Sequence, residues 1–154
     1  MKIRIDAKST HVAVIVMQRS FDAPRERLWN ALTDPRQVAR WYGGRADESP
    51  VCEMDVRPGG RWHHVTKTPD GVEHTHDFEF GDVVENEKLS WKNASVRMTV
   101  TLEAAGHETK WKLVARFNTY AERDAAQKSG FAKVLAEGTE KLNALVTGSP
   151  APAA

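Results

Sequence analysis

Gly130 to Leu145 reads GFAKVLAEGTEKLNAL. Phe131, Val134, Leu135, Gly138, Leu142 and Leu145 recur there at spacings of three and four, which places them on one apolar stripe of a helix. Lys128, Lys133, Glu137, Glu140 and Lys141 fill the other positions. The pattern predicts a long C-terminal helix over Ala121 to Val146. Gly138 sits inside the apolar stripe, where it costs about 1 kcal/mol of helix propensity against alanine. A glycine kept at that position predicts close approach of the helix to a sheet, or room for something lying between them. Such a helix must bury its stripe against an apolar surface of similar size.

That surface lies upstream. From Val51 to Phe117 the apolar period falls to two, the period of strands. Strands are expected at Val51 to Arg57, Arg61 to Lys67, Glu73 to Val84, Lys88 to Lys92, Ser95 to Glu103 and Glu108 to Phe117. Pro58-Gly59-Gly60 and Thr68-Pro69-Asp70-Gly71 read as turns, because proline presets φ and glycine supplies positive φ. All the connections are short, so the sheet is expected to be antiparallel. Further upstream, Val12 to Phe21 reads as a strand rich in Val and Ile. Pro24 then opens a helix carrying Leu28, Trp29 and Leu32, and Thr33-Asp34-Pro35 caps a second short helix ending near Trp41 and Gly43-Gly44. The expected fold is α+β: a curved antiparallel sheet wrapped around a long C-terminal helix, with two short helices after the first strand and a hollow left between sheet and helix.

Composition narrows the function classes. The chain has 154 residues with 22 basic and 21 acidic side chains, a formal charge of +1. Residues 1–147 suffice for a single domain with a sizeable core, and 148–154, rich in Pro and Ala, read as a tail without structure. No basic excess points to nucleic acid, and no apolar run reaches the roughly 20 residues of a membrane helix. The start, MKIRIDAKSTH, lacks the apolar run of a secretory signal, so a cytoplasmic protein is expected. Cys52 is the only cysteine, which excludes a disulfide framework within the chain. Monomer and homodimer both remain open.

Strand alternation sorts the candidate residues by face. Trp62, His64 and Thr66 share one face of their strand; Arg61, His63 and Lys67 share the other, charged face. Cys52, Met54 and Val56 point inward, as do His76, Phe78 and Phe80, then Trp91, Met98 and Trp111. With Trp41, Phe131 and Leu135 these define an aromatic-rich wall suited to a small, largely apolar molecule. The wall residues are thus Trp41, Trp62, His64, His76, Phe78, Phe80, Trp91, Met98, Trp111, Phe131 and Leu135. The histidines open an alternative, because His74 and His76 on one strand face with His64 opposite have a spacing used by metals, and a cavity enzyme would use His64 or His76. No carboxylate stands at a fixed spacing to support either role. No catalytic residue, metal or cofactor is therefore assigned. Gly59-Gly60 is not a phosphate cradle, since a strand follows it, and Cys52 reads as a small buried hydrophobe.

Several stretches together resemble a known family: FDAPRERLWNALTDP (Phe21 to Pro35), Trp41, CEMDVRPGGRW (Cys52 to Trp62), the Pro-Asp-Gly turn and GFAKVLAEGTEKL (Gly130 to Leu142). They are similar to the START-like, or SRPBCC, helix-grip superfamily, and within it to the branch of homologues of the activator of the 90-kDa heat-shock-protein ATPase. The resemblance covers about Val12 to Val146. It implies a deep, mostly apolar cavity between sheet and helix, of the kind in which relatives hold lipids, sterols, polyketides or plant hormones. The name of the branch also implies a protein-interaction module connected with chaperone ATPase regulation and the stress response.

Overall fold

The computed structural model describes residues 2–5 and 13–148. The elements run β1 (Lys2–Ile5), β2 (Ala13–Phe21), α1 (Arg25–Thr33), α2 (Pro35–Trp41), β3 (Glu48–Met54), β4 (Arg61–Lys67), β5 (Glu73–Val84), β6 (Lys88–Lys92), β7 (Val96–Ala105), β8 (Glu108–Phe117), α3 (Tyr120–Lys128) and α4 (Phe131–Thr147). Eight strands form one antiparallel sheet in the order β1-β2-β8-β7-β6-β5-β4-β3. The long connection between β2 and β3 carries α1 and α2 from the strand next to one edge of the sheet to the strand at the other edge. The expected helix-grip α+β fold is the fold observed.

Alternation holds along the central strands. On β7, Met98, Val100 and Leu102 are buried while Arg97, Thr101 and Glu103 are exposed; on β8, Trp111, Leu113, Ala115 and Phe117 are buried. These side chains meet Leu142 and Val146 of α4 and Leu28, Leu32 and Val38 of α1 and α2 in one continuous core. Burying each large apolar side chain contributes about 1.5–3 kcal/mol. Asp34 caps α2 by accepting a hydrogen bond from the Arg36 amide at 3.0 Å, with Pro35 at the first helical position.

β3 runs over Glu48–Met54 in place of the expected Val51 to Arg57, and three larger features also differ from the sequence expectation. β1 was not anticipated; its four residues alternate charged and apolar and pair with β2 from Lys2↔Gln18 to Ile5↔Ile15. The C-terminal helix is two helices rather than one. The apolar stripe from Phe131 to Leu145 lies wholly in α4, and at its start Gly130 takes φ 93°, a left-handed conformation that glycine adopts freely and that interrupts a helix. Finally, Gly138 approaches the loop after α2, not the sheet: a Cβ there would lie 3.1 Å from the Trp41 carbonyl oxygen and 3.2 Å from that of Gly43. The segment 149–154, most of the expected tail, lies outside the described residues, as does Val12.

Candidate ligand-binding cavity

The sheet and α4 do not close on each other completely. Between them lies a partly open hollow of about 530 Å³. Its apolar wall comes from the inward faces of four strands and from the start of α4: Phe78 on β5, Trp91 on β6, Met98 on β7, Leu113 on β8, and Phe131, Val134 and Leu135 on α4. Trp41 and Tyr42, at the end of α2, close one side. Thr66, Thr68, His74 and His76 of the β4–β5 hairpin line the hollow together with Asp47, and Asn93 and Ser129 add polar groups elsewhere on the wall. The Ser129-Gly130 break between α3 and α4 forms part of the rim.

The rim is fastened to α4. Lys141 Nζ donates to the Gly44 carbonyl at 2.6 Å, and the Arg45 amide donates to Glu137 Oε1 at 3.1 Å. Within the same loop the Gly44 amide donates to Asp47 Oδ2 at 2.8 Å. Gly138, lying between the two α4 anchors, lets the loop backbone reach the helix. Trp41 is fixed separately, its indole N–H donating to the Ala31 carbonyl at 2.8 Å.

The wall residues expected from the sequence divide into two layers. Trp41, His76, Phe78, Trp91, Met98, Phe131 and Leu135 line the hollow. Trp62, His64, Phe80 and Trp111 do not. Trp62 is packed among Phe78 (ring centroids 5.0 Å), Trp91 (5.4 Å) and Phe80 (6.0 Å, stacked), and Trp111 packs edge-on against Phe21 at 5.5 Å. These four point inward as expected, but they form the core behind the wall. Sequence reasoning missed the polar lining residues Asp47, Thr68, Asn93 and Ser129 and, with most consequence, the aromatic Tyr42. Its ring stands 4.8 Å from His64, 5.1 Å from Trp62 and 5.6 Å from His76, and so separates the first two from the hollow. The one available signal was an aromatic side chain directly before the Gly43-Gly44 pair.

His64 is fully buried, and its chemistry follows from its partners. The Trp62 indole N–H can only donate, and it points at His64 Nδ1 at 3.2 Å. Nδ1 is therefore the acceptor, the proton sits on Nε2, and Nε2 donates to Ser49 Oγ at 2.7 Å. Burial, reinforced by His76 and His63, pushes the imidazole down to about 4. With both nitrogens engaged, His64 neither takes a proton from Ser49 nor offers a lone pair to a metal. His76 bonds Thr66 Oγ1 through Nε2 at 3.1 Å and is also held below its ordinary value, chiefly by burial. His74 is exposed. Among the described residues no group of three His, Cys, Asp or Glu side chains is gathered to hold a metal ion. Burial pushes the Cys52 thiol up to about 11, which leaves it protonated and unreactive at neutral pH.

A curved antiparallel sheet gripping a C-terminal helix over a hollow defines the START-like, or SRPBCC, class of domains. Within that class, the family model described as "Activator of Hsp90 ATPase homolog 1-like protein" matches residues 22–147, and the chain belongs to this family. Solved structures carry the same fold. A protein from Arthrobacter aurescens, determined by solution NMR, superposes with a TM-score of 0.87 at 20% identity, covering 97% of this chain and 92% of that one. Crystal structures of proteins from Mycobacterium smegmatis (TM-score 0.85, 21% identity, 97% and 99% covered) and Nitrosomonas europaea (0.85, 20%, 91% and 97%) are similar. No curated protein sequence matches the chain. Among the described residues no helix is long and apolar enough to cross a membrane.

Proposed function

We propose that this domain holds a small, largely apolar molecule in the hollow between the sheet and α4, with a hydrogen-bonding group of that molecule lying toward His76 and Thr66. The observation that carries the reading is the hollow itself. Its volume of about 530 Å³ falls in the range of roughly 300–1,000 Å³ typical of small-molecule sites. Its wall is aromatic and aliphatic over most of its extent, and most of its polar side chains come from Asp47 and the β4–β5 hairpin, with Asn93 and Ser129 apart from them, an arrangement that fixes orientation while apolar burial supplies affinity. A carrier or sensor role suits this site better than catalysis, because the buried histidine has no nitrogen to spare and, among the described residues, no carboxylate is hydrogen-bonded to either inner histidine.

The test is uptake of a neutral fluorescent probe, N-phenyl-1-naphthylamine, by the full chain. The expected result is saturable fluorescence enhancement, reduced severalfold in Leu135→Trp, which fills the hollow from α4 with an apolar side chain and leaves the thermal midpoint within a few degrees of the parent. If the parent protein takes up no probe, or if Leu135→Trp takes it up equally well, the reading fails.

A further inference from the structure

We propose that the outer face of the sheet carries a second site, built on Arg97 and Arg116, for a small molecule bearing two or more adjacent phosphate groups. Arg97 on β7 and Arg116 on β8 are direct cross-strand partners, and Lys92 on β6 is the partner of Arg97 on its other side. All three are exposed, on the face opposite the hollow, since Met98 and Ala115 beside them in sequence point inward and are buried. Adjacent strands lie about 4.8 Å apart, so three cations stand in a row about 10 Å long.

This row works against the fold. Like charges directly opposite one another destabilise an antiparallel pair. The chain as a whole is close to neutral at +1, so composition does not force three cations together. Glu79 on β5 is the cross-strand partner of Lys92 and pairs with it at 3.9 Å, and Asp82 pairs with Lys88 at 3.3 Å, so the charge left unrelieved is that of the two arginines. Among the described residues Arg97 and Arg116 form no ion pair and no side-chain hydrogen bond. The row lines a depression of about 490 Å³, which also includes Thr99, Asn118 and the Asp82–Lys88 ion pair. A bounded depression suits a small molecule better than an extended polymer. Guanidinium forks hold phosphate oxygens in pairs, and cations one strand apart reach neighbouring phosphates of one ligand.

The experiment is an NMR titration of the full chain with inorganic pyrophosphate at constant ionic strength, with citrate as a polycarboxylate of comparable charge. Pyrophosphate is expected to shift the amides of Lys92, Arg97 and Arg116, with affinity that falls as salt rises. Arg97→Gln and Arg116→Gln are each expected to weaken binding about tenfold, the loss of one charge-assisted hydrogen bond. Each substitution also removes a like-charge contact, so the thermal midpoint should stay level or rise, and uptake of the neutral probe by the hollow should be unchanged. Absence of shifts in this row, or undiminished affinity in both variants, overturns the site. Citrate binding through the same residues as tightly as pyrophosphate overturns its assignment to phosphate.

Discussion

Held between the Trp62 indole and the Ser49 hydroxyl, His64 must stay neutral for the core around it to stay intact. The consequence is measurable. Its ordinary value of 6.5 applies to the unfolded chain, while the folded imidazole titrates near 4. Between those values the unfolded chain binds more protons, so stability is fully present above about pH 6.5 and drains away as pH falls toward 4. The difference corresponds to at most about 3 kcal/mol. Urea unfolding at pH 7 and pH 5 should show the loss, and His64→Gln should flatten it. His76 is shifted in the same direction and adds to the slope, so some pH dependence remains in that variant. An unchanged slope in His64→Gln would show that His64 is not the group responsible. Alternation along β4 was enough to turn His64 and Trp62 inward. It could not tell depth, because a period-two pattern distinguishes faces and says nothing of what stands in front of them. Tyr42 stands in front, and it comes from a helix end that no strand pattern reaches.

α4 serves both as the roof of the hollow and as the anchor of its rim, and Gly138 is where the two roles meet. In an ordinary helix interior Gly→Ala gains about 1 kcal/mol. Here the new Cβ would press on two carbonyl oxygens at 3.1 and 3.2 Å, and the loop that carries them is tied to the same helix by Lys141 and Glu137. Gly138→Ala is therefore expected to lose about 1 kcal/mol instead of gaining it, as read from urea midpoints. A more stable variant would show that the loop yields. The glycine was visible in the sequence as a defect in an otherwise apolar stripe, and a close approach was the right inference from it. Its partner was not visible, since a loop without periodicity leaves no trace of where it will pack. The Ser129-Gly130 break escaped notice for a related reason: the apolar stripe begins only at Phe131, so nothing in its period marks where the helix starts, and the backbone angle at Gly130 records the break.

Across the molecule, the switch from period two to period three or four was sufficient to order the sheet and its closing helix, and short turns rich in Pro and Gly made the pairing antiparallel. The edge strand β1 is the exception, with four residues too few to show a period and no turn signal to join it to β2. A hollow at the sheet–helix junction ties overall stability to occupancy. Probe at a hundred times its dissociation constant adds about 2.7 kcal/mol, which for a chain of this size raises the thermal midpoint by roughly 5–10 °C. A scan with and without N-phenyl-1-naphthylamine checks this, and an unmoved midpoint despite bound probe would mean that the probe sits elsewhere. The clasp of Lys141 and Glu137 on residues 44 and 45 has one more effect. Because the loop hangs from the beam that spans the chamber, it cannot swing outward alone without breaking both of those hydrogen bonds, so on that side beam and loop travel as one joined piece.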